Sequence, residues 1–529
     1  MSAEKDGERG AGRPVGPRLG GVFLLGAASG LLSAASFPPL SDLAPAGLFN
    51  WLIFVSLAPI VFVAGRCGPL RGALAGFTGG FVGCGIAFHW VLPLVPRFTN
   101  LNWAVGVAAF SVYLLGEALF WAALGWIWAL EVPGIAGWLW RVGAPVVLEA
   151  FWPRIFPWHF GDPCVELPLV AQVADLGGVA VVSALVLAVN LAFERAVLGA
   201  RKGFRSQAFL RPAAFGLFLL GATFFYGALR LQGRPQAEGT VSVAVVHPAV
   251  FLARKHRASL RIEDFLKLRD YVIKLAASSF RNGRKPDLVV IPEALFSVLK
   301  GHERIGLYRA LKVPVLFGAG YGVPAQKRQY NSVVLFDGRS VQLYHKHHLV
   351  PFGESVPFSE WFPFLETWIG VRSQGRGPGP VVLKLGKARI APLICYEAIL
   401  GRYVRKFVAL GANIIINVTE DGWYGWTGEP RQHLMLARFR SIETRRYLVR
   451  TVNNGISAVI DPWGRIVKSV AKPKEPSAFV CYVPLLSGTT LYVRWGEWFL
   501  WAMALLSVGG LLSTRIRNRR PRGRPTMAQ

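Results

Sequence analysis

Long apolar runs dominate the first 230 residues of this 529-residue chain. Each is close to the ~20 residues that an α-helix needs to cross the hydrocarbon core of a bilayer. Because an unpaired peptide group is costly in lipid, such runs are constrained to be helices. The chain is 53% hydrophobic and 17% charged, which is typical of a multi-pass membrane protein. The predicted spans cover residues 19–37, 48–64, 72–93, 104–130, 134–151, 170–193 and 214–229, with an eighth at 498–512.

Two of these spans have alternative interpretations. The run 19–37 also has the apolar body of a signal peptide, because Ser33, Ala34 and Ala35 form a small-residue stretch that could be cleaved. The fifth run is the least regular, because Arg141 and Glu149 interrupt it.

The loop charges predict the orientation of the spans. The connections 65–71 and 194–212 are basic, whereas 38–47 has no Lys or Arg and 94–103 has one Arg. Lys and Arg accumulate in cytoplasmic loops, so the N-terminus is predicted to be cytoplasmic and the residues after the seventh span to lie outside. The last apolar run ends in six arginines between 515 and 524, which independently predicts a cytoplasmic C-terminus.

The domain organisation follows from these spans and charges. The predicted parts are a cytoplasmic tail 1–18, a seven-helix membrane domain 19–230, a periplasmic catalytic domain 240–488, a C-terminal transmembrane helix 498–513 and a basic cytoplasmic tail 514–529.

The formal net charge of +29 is spread over loops and tails rather than gathered into one stripe. A nucleic-acid partner is therefore not predicted, and the basic excess is assigned to membrane orientation and anionic headgroups. The five cysteines form an odd set without a CxxC pair, so neither a disulfide framework nor zinc is implied.

From Thr240 the sequence changes to short β-branched runs that alternate with amphipathic stretches. This alternation predicts an α/β domain. The predicted strands are 241–247, 287–292, 313–318, 330–336, 340–346, 388–395, 412–418, 447–453, 456–461 and 478–484, and the predicted helices are 256–281, 302–311, 397–410 and 430–446.

Three of the strand-type runs end in residues that carry chemistry, namely Glu293, Lys346 and Cys395. A cysteine attacks as its thiolate, which needs a proton acceptor and a nearby positive charge. A desolvated carboxylate at the end of a strand can be that acceptor, and an ammonium can stabilise the thiolate and then an oxyanion. We therefore predict that the three side chains meet as one nucleophilic site.

Each candidate also has a structural interpretation. A lone cysteine at a strand end is more often a small core residue, Glu293 could cap a helix, and Lys346 could be solvated. The polar residues in or beside the spans could line a substrate cavity or form interhelical pairs; they are His89, Glu117, Glu149, Arg154 and Gln172.

Three histidines surround Lys346 at 345, 347 and 348. Adjacent residues of an extended segment point to opposite faces, and no carboxylate set is spaced to complete a metal site. Neither a metal nor a cofactor is predicted.

The order Glu–Lys–Cys, with these surroundings, resembles the nitrilase (carbon–nitrogen hydrolase) superfamily. Together with the apolar spans it is similar to the bacterial apolipoprotein N-acyltransferases. The stretches that carry the resemblance are Tyr330-Asn331-Ser332, Lys346 to Glu354, Ile394-Cys395-Tyr396-Glu397, Asp421 to Gly425, Gln432-His433-Leu434, Arg440 to Glu443 and Asn454 to Ala458.

The resemblance implies a multi-pass helical membrane domain joined to an αββα sandwich. It implies that Glu293 is the base, Lys346 the oxyanion stabiliser and Cys395 the nucleophile, with Glu354, Tyr396 and Glu397 in supporting roles. The implied reaction moves an acyl chain from a phospholipid, through a cysteine thioester, to the α-amino group of a diacylglyceryl-cysteine lipoprotein. It also implies a monomer in the bacterial inner membrane that needs no cofactor.

Two departures from the family pattern affect loops near the site: Glu420 stands where Asn is usual, and Val246-His247-Pro248 replaces Gln-Gly-Asn. Two other functions are weighed against the acyltransferase. One is a membrane-anchored amidase with the same triad and water as acceptor; the other is a transporter or receptor with a degenerate nitrilase-like domain. The intact triad disfavours the latter.

Overall fold

The structure is a computed structural model that describes residues 16–98, 101–130, 132, 134–233, 235–251, 255, 261–280, 284–326, 328–425 and 427–519. Most of the predicted tail 1–18 and residues 520–529 of the predicted tail 514–529 lie outside the described residues. The helix Trp498–Arg519 continues beyond the predicted end of the last span.

Within the described residues, five helices are long and apolar enough to cross a membrane. Leu19–Ala35 and Trp498–Leu512 are apolar but shorter, and Gly134–Phe151, which contains Arg141 and Glu149, belongs to neither group. The number of crossings therefore stays a prediction. The five long segments are Gly47–Cys67, Pro69–Ala87, Trp103–Ala129, Val179–Ala200 and Gln207–Gln232.

Two predicted spans differ from the helices observed. The predicted span 170–193 corresponds to Val179–Ala200, because Gly178 at φ +78° separates that helix from the short turns before it. The predicted span 48–64 is divided into a 3-10 segment, Pro45–Phe54, and the helix Ala58–Cys67. Asn190 Oδ1 accepts hydrogen bonds from the two peptide groups at this break, Leu57 N at 2.8 Å and Ala58 N at 3.1 Å. A buried side chain thus satisfies donors that lipid could not.

Small residues bring the membrane helices close together. A Cβ added at Gly76 would lie 2.1 Å from the Trp121 carbonyl oxygen, and one at Gly125 would lie 2.0 Å from that of Gly72. Helices Pro69–Ala87 and Trp103–Ala129 therefore touch backbone to backbone, a contact that larger residues would prevent.

Most of the polar residues singled out in the spans make specific contacts. Arg154 Nε lies 3.2 Å from Glu117 Oε1, and Glu149 Oε1 accepts a 2.7 Å hydrogen bond from Phe160 N. Gln172 Nε2 donates to the carbonyl of Trp463 in the catalytic domain at 3.1 Å. These contacts favour pairing and anchoring over the lining of an open cavity.

The residues after 236 form two six-stranded sheets. The first has the order β12-β1-β2-β3-β4-β5 and the second the order β11-β10-β9-β8-β7-β6. The strands are β1 Ala237–His247, β2 Leu288–Leu299, β3 Val315–Val323, β4 Arg328–Phe336, β5 Val341–His345, β6 Leu383–Leu385, β7 Ala388–Ile394, β8 Ile414–Glu420, β9 Leu448–Asn453, β10 Ala458–Ile460, β11 Ile466–Ser469 and β12 Ser477–Leu486.

In each sheet the central strands are parallel and the outer ones antiparallel. β1, β2 and β3 are parallel neighbours, as are β7, β8 and β9, whereas β12, β4 and β5 in the first sheet and β6, β10 and β11 in the second run antiparallel to their neighbours. The carboxyl ends of parallel strands meet at one edge, where sites in such folds are placed.

The central strands are buried on both faces, which explains their nearly continuous apolar sequences. In β2, Leu288 and Val290 face the second sheet, and the alternate residues Val289 and Ile291 pack towards the outer helix Ile262–Ser278. Two sheets packed face to face, with helices on both outer faces, form the predicted αββα sandwich. The predicted fold class, a helical membrane domain joined to this sandwich, is confirmed.

The helix Glu429–Thr444 packs on two domains at once. Leu434 and Ala437 join the apolar core of the two-sheet domain, whereas Met435 and Phe439 join the core of the membrane domain. Every residue of this helix except Arg431 is buried, including several charged ones, which reflects its packing on both sides.

Two short strands, β6 and β11, were not predicted, and the predicted helix 302–311 is confined to Leu307–Leu311. β11 is a four-residue edge strand with mostly exposed side chains, so its sequence lacks the apolar alternation of a buried strand.

Candidate active site

Cys395 stands at a sharp change of backbone direction. It follows β7 directly and begins the 3-10 turn Cys395–Ile399, with φ +50°. This left-handed conformation is uncommon for a residue with a side chain and marks a locally strained position. The residue is 7% exposed, so the thiol is buried at the end of a central parallel strand.

The structure corrects the predicted position of Glu293. The residue does not end its strand, because β2 continues to Leu299 and Glu293 lies at an irregularity in the pairing with β3, next to Ala294 at φ +50°. β3 approaches so closely here that a Cβ on Gly318 would lie 2.4 Å from Glu293 Cα. A bulge within the strand, rather than a strand end, places the carboxylate.

The Glu293 carboxylate is held on both oxygens. Asn331 Nδ2 donates to Oε1 at 2.6 Å, and the peptide N–H of Glu420 donates to Oε2 at 2.8 Å. Asn331 also donates to Glu354 Oε1 at 2.8 Å, so one amide bridges the two carboxylates.

Lys346 follows β5 and is 1% exposed. Its Nζ lies 2.7 Å from Glu354 Oε2 and 3.7 Å from Glu293 Oε1. A buried ammonium between two carboxylates is charge-compensated, and the shorter contact identifies Glu354 as its main partner.

The electrostatics couple these groups to Cys395. Burial raises the pKa of the Cys395 thiol well above its usual value; the Glu293 charge raises it further and Lys346 opposes the rise. Burial also raises the pKa of Glu293. Burial disfavours the charge on Lys346, but Glu354 and Glu293 outweigh it and the pKa is raised. The Cys395 thiol is therefore protonated at rest, whereas Lys346 stays charged. To react as a thiolate, Cys395 needs a base that removes its proton.

Glu397 connects the backbone next to Cys395 with the loop that follows Lys346. Its Oε1 accepts hydrogen bonds from the Tyr344 hydroxyl at 2.7 Å and from the peptide N–H groups of His347 and His348 at 2.9 and 3.1 Å. Its Oε2 accepts from Ile394 N at 3.1 Å. Burial raises the pKa of Glu397 to about 7. Glu397, which was predicted to support the site, thus holds both the backbone after Lys346 and the backbone before Cys395.

Tyr396 points towards the membrane domain. Its ring lies 6.3 Å from that of Phe156, which precedes the short turns before Val179–Ala200. Burial raises the pKa of its hydroxyl to about 12, so it is neutral at ordinary pH.

A buried polar network next to Cys395 contains none of the predicted site residues. Arg450, which is fully buried, donates to Asp421 Oδ2 at 3.0 Å and to Asn417 Oδ1 at 2.7 Å. His433 joins Asp421 at 3.1 Å and lies 3.4 Å from the Cys395 carbonyl oxygen. Several members belong to motifs that carried the resemblance, but sequence alone could not show that they meet.

The structure also brings together Asp421, Glu429 and His433, whose ligand-type atoms lie within 4.8 Å of one another. The histidines near Lys346 have separate partners: His345 contacts Ser332 Oγ at 2.7 Å and His347 contacts the Gly377 carbonyl at 2.7 Å.

The two departures from the family pattern lie behind the site. Glu420 Oε2 pairs with Lys255 and accepts from Asn453 Nδ2. His247 is fully buried and bonds the carbonyl groups of Val452 at 2.8 Å and Pro473 at 2.9 Å. Both side chains thus hold neighbouring segments of the chain in place rather than contacting Cys395.

Family models match two parts of the chain. Residues 29–192 match the model described as the apolipoprotein N-acyltransferase N-terminal domain, and residues 306–485 match the carbon–nitrogen hydrolase model. The second match covers Lys346, Glu354 and Cys395.

Curated relatives match over most of their length. Apolipoprotein N-acyltransferase of Geobacter metallireducens is 30% identical over 499 residues, 91% of this chain and 92% of that protein. The enzyme of the same name from Agrobacterium fabrum is 32% identical over 501 residues, 87% of this chain and 89% of that protein.

Solved structures are similar to about half of the chain. An amidase from Nesterenkonia sp. is 18% identical with a TM-score of 0.36, covering 51% of this chain and 98% of that chain. A CN-hydrolase superfamily protein from Xanthomonas campestris is 15% identical with a TM-score of 0.34, covering 50% of this chain and 97% of that chain. On the two family models and the extent of identity with its curated relatives, this chain belongs to the apolipoprotein N-acyltransferases, a family of acyltransferases that carry a carbon–nitrogen hydrolase domain.

Proposed function

We propose that this protein transfers an acyl chain from a membrane phospholipid to the α-amino group of an N-terminal diacylglyceryl-cysteine on lipoproteins. Cys395 is the nucleophile, Glu293 the base and Lys346 the oxyanion stabiliser. One observation carries the proposal: the three side chains are buried, Glu293 and Lys346 act on the pKa of the Cys395 thiol, and a cavity lined by the next residue, Tyr396, takes its walls from both domains.

An apolar cavity of about 380 Å³ suits an acyl chain. Val105 and Val112 line it from a membrane helix, and Phe352, Trp368 and Tyr424 line it from the catalytic domain. A cavity whose walls come from both domains is open to a lipid that arrives within the bilayer.

A second cleft, of about 720 Å³, suits a phosphate-bearing headgroup. The cleft is lined by Arg328, Arg376 and His348. The guanidinium group of an arginine such as Arg376 can bind a phosphate through two hydrogen bonds at once, in bidentate geometry. Pro351 lines both this cleft and the apolar cavity. A phospholipid could therefore place its headgroup in the cleft and its acyl chain in the cavity.

In the first step, Glu293 takes the thiol proton as Cys395 sulfur attacks the ester carbonyl carbon. Lys346 stabilises the oxyanion of the tetrahedral intermediate, an effect worth ~3 kcal/mol for one donor. The intermediate collapses with cleavage of the C–O ester bond, and the leaving alkoxide takes the proton from Glu293. The products are a lysophospholipid and an acyl thioester on Cys395.

In the second step, the neutral α-amine of the acceptor attacks the thioester carbonyl. Its pKa is ordinarily near ~8, so a useful fraction is unprotonated at neutral pH. Glu293 takes the proton from nitrogen, the C–S bond breaks, and the thiolate recovers a proton from Glu293. An amide forms and the enzyme returns to its starting state.

The loop between Val350 and Ile369 supports work at a membrane surface. Its exposed aromatic side chains are of the kind enriched at the bilayer interface, and they also make candidate covers that keep water from the thioester. They are Phe352, Phe358, Trp361, Phe362, Phe364 and Trp368.

The loop charges support a placement of residues 240–488 on the periplasmic side of the inner membrane, between the membrane domain 19–230 and the last span 498–513. The tails 1–18 and 514–529 are then cytoplasmic, and the protein acts as a monomer.

The test uses the full-length protein in detergent micelles with a phospholipid labelled in its acyl chain. We expect a hydroxylamine-sensitive adduct that Cys395→Ala abolishes and that Cys481→Ala, a change at a cysteine on β12, leaves intact. A synthetic diacylglyceryl-cysteine lipopeptide should discharge the adduct to an amide. A parent protein without an adduct overturns the proposal, and discharge only to water identifies a hydrolase instead.

A further inference from the structure

A small cavity of about 30 Å³ lies beside the proposed nucleophile, at the junction of the two domains. Tyr396, the neighbour of Cys395, forms one wall, and Trp90 and Phe156 of the membrane domain form others. Tyr424 and Phe156 line both this cavity and the apolar cavity assigned to the acyl chain. The volume is about that of one water molecule, so it suits a single small group rather than a chain.

Glu429 contributes a carboxylate to this cavity. The residue is 5% exposed, and its Oε1 lies 3.4 Å from His433 Nδ1. Its other oxygen, Oε2, is buried without a hydrogen-bond partner among the described residues. A buried carboxylate oxygen with no donor costs free energy that a bound cation would recover.

The neighbouring cations belong to another carboxylate. Arg450 and His433 both contact Asp421, at 3.0 and 3.1 Å. Glu429 therefore shares one ring nitrogen with Asp421, and burial together with the Asp421 charge raises the pKa of Glu429 to about 7. No Lys or Arg is among the described residues that line the cavity, and the one histidine there, His433, is shared with Asp421.

The walls have the chemistry of an ammonium site. The centroid of the Trp90 ring lies 5.4 Å from that of Tyr424 and 5.0 Å from that of Phe156, and both pairs pack edge to face. Aromatic faces attract organic cations, Trp most strongly, and a desolvated carboxylate adds a counter-ion. Gln432 secures this wall, because its Oε1 accepts a 2.9 Å hydrogen bond from Trp90 Nε1.

We propose that this cavity binds a primary ammonium group, with Glu429 as counter-ion and the rings of Trp90, Phe156 and Tyr424 as its cage. The inference rests on the proposed function, which brings such a group to Cys395. The group could come from the α-amine of the lipoprotein acceptor or from the headgroup of an aminophospholipid donor. In either case the cavity holds a substrate amine against Tyr396, the residue that follows Cys395 in the chain.

A divalent cation is the competing occupant, because Asp421, Glu429 and His433 offer ligand-type atoms close together. The structure favours the ammonium: Arg450 already lies 3.0 Å from Asp421, and the repulsion between guanidinium and metal would oppose binding.

The experiment compares the full-length parent with Glu429→Gln, which keeps the shape and removes the charge. Formation of the Cys395 adduct is followed with phosphatidylethanolamine and with phosphatidylglycerol as separate donors. Transfer from the preformed adduct to a synthetic diacylglyceryl-cysteine lipopeptide is followed in single turnovers over a range of lipopeptide concentrations.

If the acceptor amine occupies the cavity, adduct formation is unchanged with both donors, and the half-saturating lipopeptide concentration rises by about tenfold or more, as expected for loss of a charge-assisted contact. If the donor amine occupies it, adduct formation slows with phosphatidylethanolamine only. Either result supports the ammonium site and identifies its source.

Parent-like behaviour of Glu429→Gln in every assay overturns the inference, as does an equal loss with both donors. Metal bound stoichiometrically to purified parent and lost in Glu429→Gln also overturns it. If Glu429→Gln does not fold, Glu429→Asp and Trp90→Phe provide the test: the first keeps the charge, and the second weakens the cage with Glu429 intact. Both must then produce one of these two results, a higher half-saturating lipopeptide concentration or slower adduct formation with phosphatidylethanolamine only, by a smaller factor. A parent that forms no adduct contradicts the proposed function instead.

Discussion

The ammonium group of Lys346 lies 2.7 Å from Glu354 Oε2, and the Lys346 side chain is 1% exposed. Glu354 is therefore the nearer of the two carboxylates around Lys346, because Glu293 Oε1 is 3.7 Å away. In the mechanism proposed above, this pairing leaves Glu293 to accept the thiol proton and Lys346 to keep its charge for the oxyanion. Under that proposal, Glu354 serves to separate the role of the base, Glu293, from that of the electrostatic stabiliser, Lys346.

The first prediction concerns the charges around Cys395. Glu293→Gln should lower the pKa of the Cys395 thiol, because it removes a negative charge that raises it, and Lys346→Met should raise the pKa further. Both variants should form the acyl adduct ~10²-fold or more slowly, since each lacks one catalytic group. The pH dependence of alkylation at Cys395, followed by mass spectrometry, gives the pKa order. Alkylation of Cys481 is the internal control, and shifts of the same sign in both variants would contradict the arrangement.

The second prediction concerns Glu397 and pH. Its folded-state pKa of about 7 lies above the ordinary ~4.3 of glutamate, so protonation stabilises the fold. This contribution is complete below about pH 4.3 and is lost as the pH rises through about 7. Glu397→Gln removes the titration, so its melting temperature should fall less between pH 5 and 8 than that of the parent. Glu429 and Glu443, whose pKa values are also raised to about 7, remain in both proteins and cancel. An equal fall in melting temperature between pH 5 and 8 in the parent and in Glu397→Gln would contradict the assignment of this titration to Glu397.

The third prediction concerns the buried pair of Arg450 and Asp421. Arg450→Gln leaves Asp421 with His433 as its remaining cationic partner among the described contacts, and should cost ~3–5 kcal/mol of stability. Asp421→Asn in the same protein should restore part of that loss, because the uncompensated charge is gone. A thermal-melting double-mutant cycle measures the coupling. Simple additivity of the two changes would show that the residues are not energetically paired.

The fourth prediction tests the contact between membrane helices. Gly125→Ala should destabilise the protein, because the new Cβ would lie 2.0 Å from the Gly72 carbonyl oxygen. Gly116→Ala, on the same helix, has no atom within 4 Å of the new Cβ and should be neutral or slightly stabilising. Melting temperatures of the two variants in the same detergent give the comparison. A loss of stability in both would point to a property of the helix rather than to its packing.

Much of this protein followed from its sequence. Long apolar runs can satisfy their peptide groups in lipid only as helices, so the membrane domain was predictable from composition. The β-branched runs around Val289 and Ile390 are buried on both faces, and their continuous apolar character predicted the central strands of an α/β sandwich. The order of Glu293, Lys346 and Cys395 in their motifs predicted the members of the candidate site.

What only the tertiary structure decided is how those members are held. A strand end and a bulge look alike in sequence, so the position of Glu293 within β2 depended on pairing with β3, where Gly318 allows the close approach. The contacts of Asn331 with two carboxylates and of Arg450 with Asp421 join residues far apart in the chain. In sequence, Glu429 is an acidic residue in the first turn of a helix, which is a common arrangement. Only the structure shows that its Oε2 is buried without a hydrogen-bond partner among the described residues, in a cavity with walls from the membrane domain. Local patterns determine which segments are helices and strands, whereas charge compensation at a site depends on contacts that only the folded chain brings together.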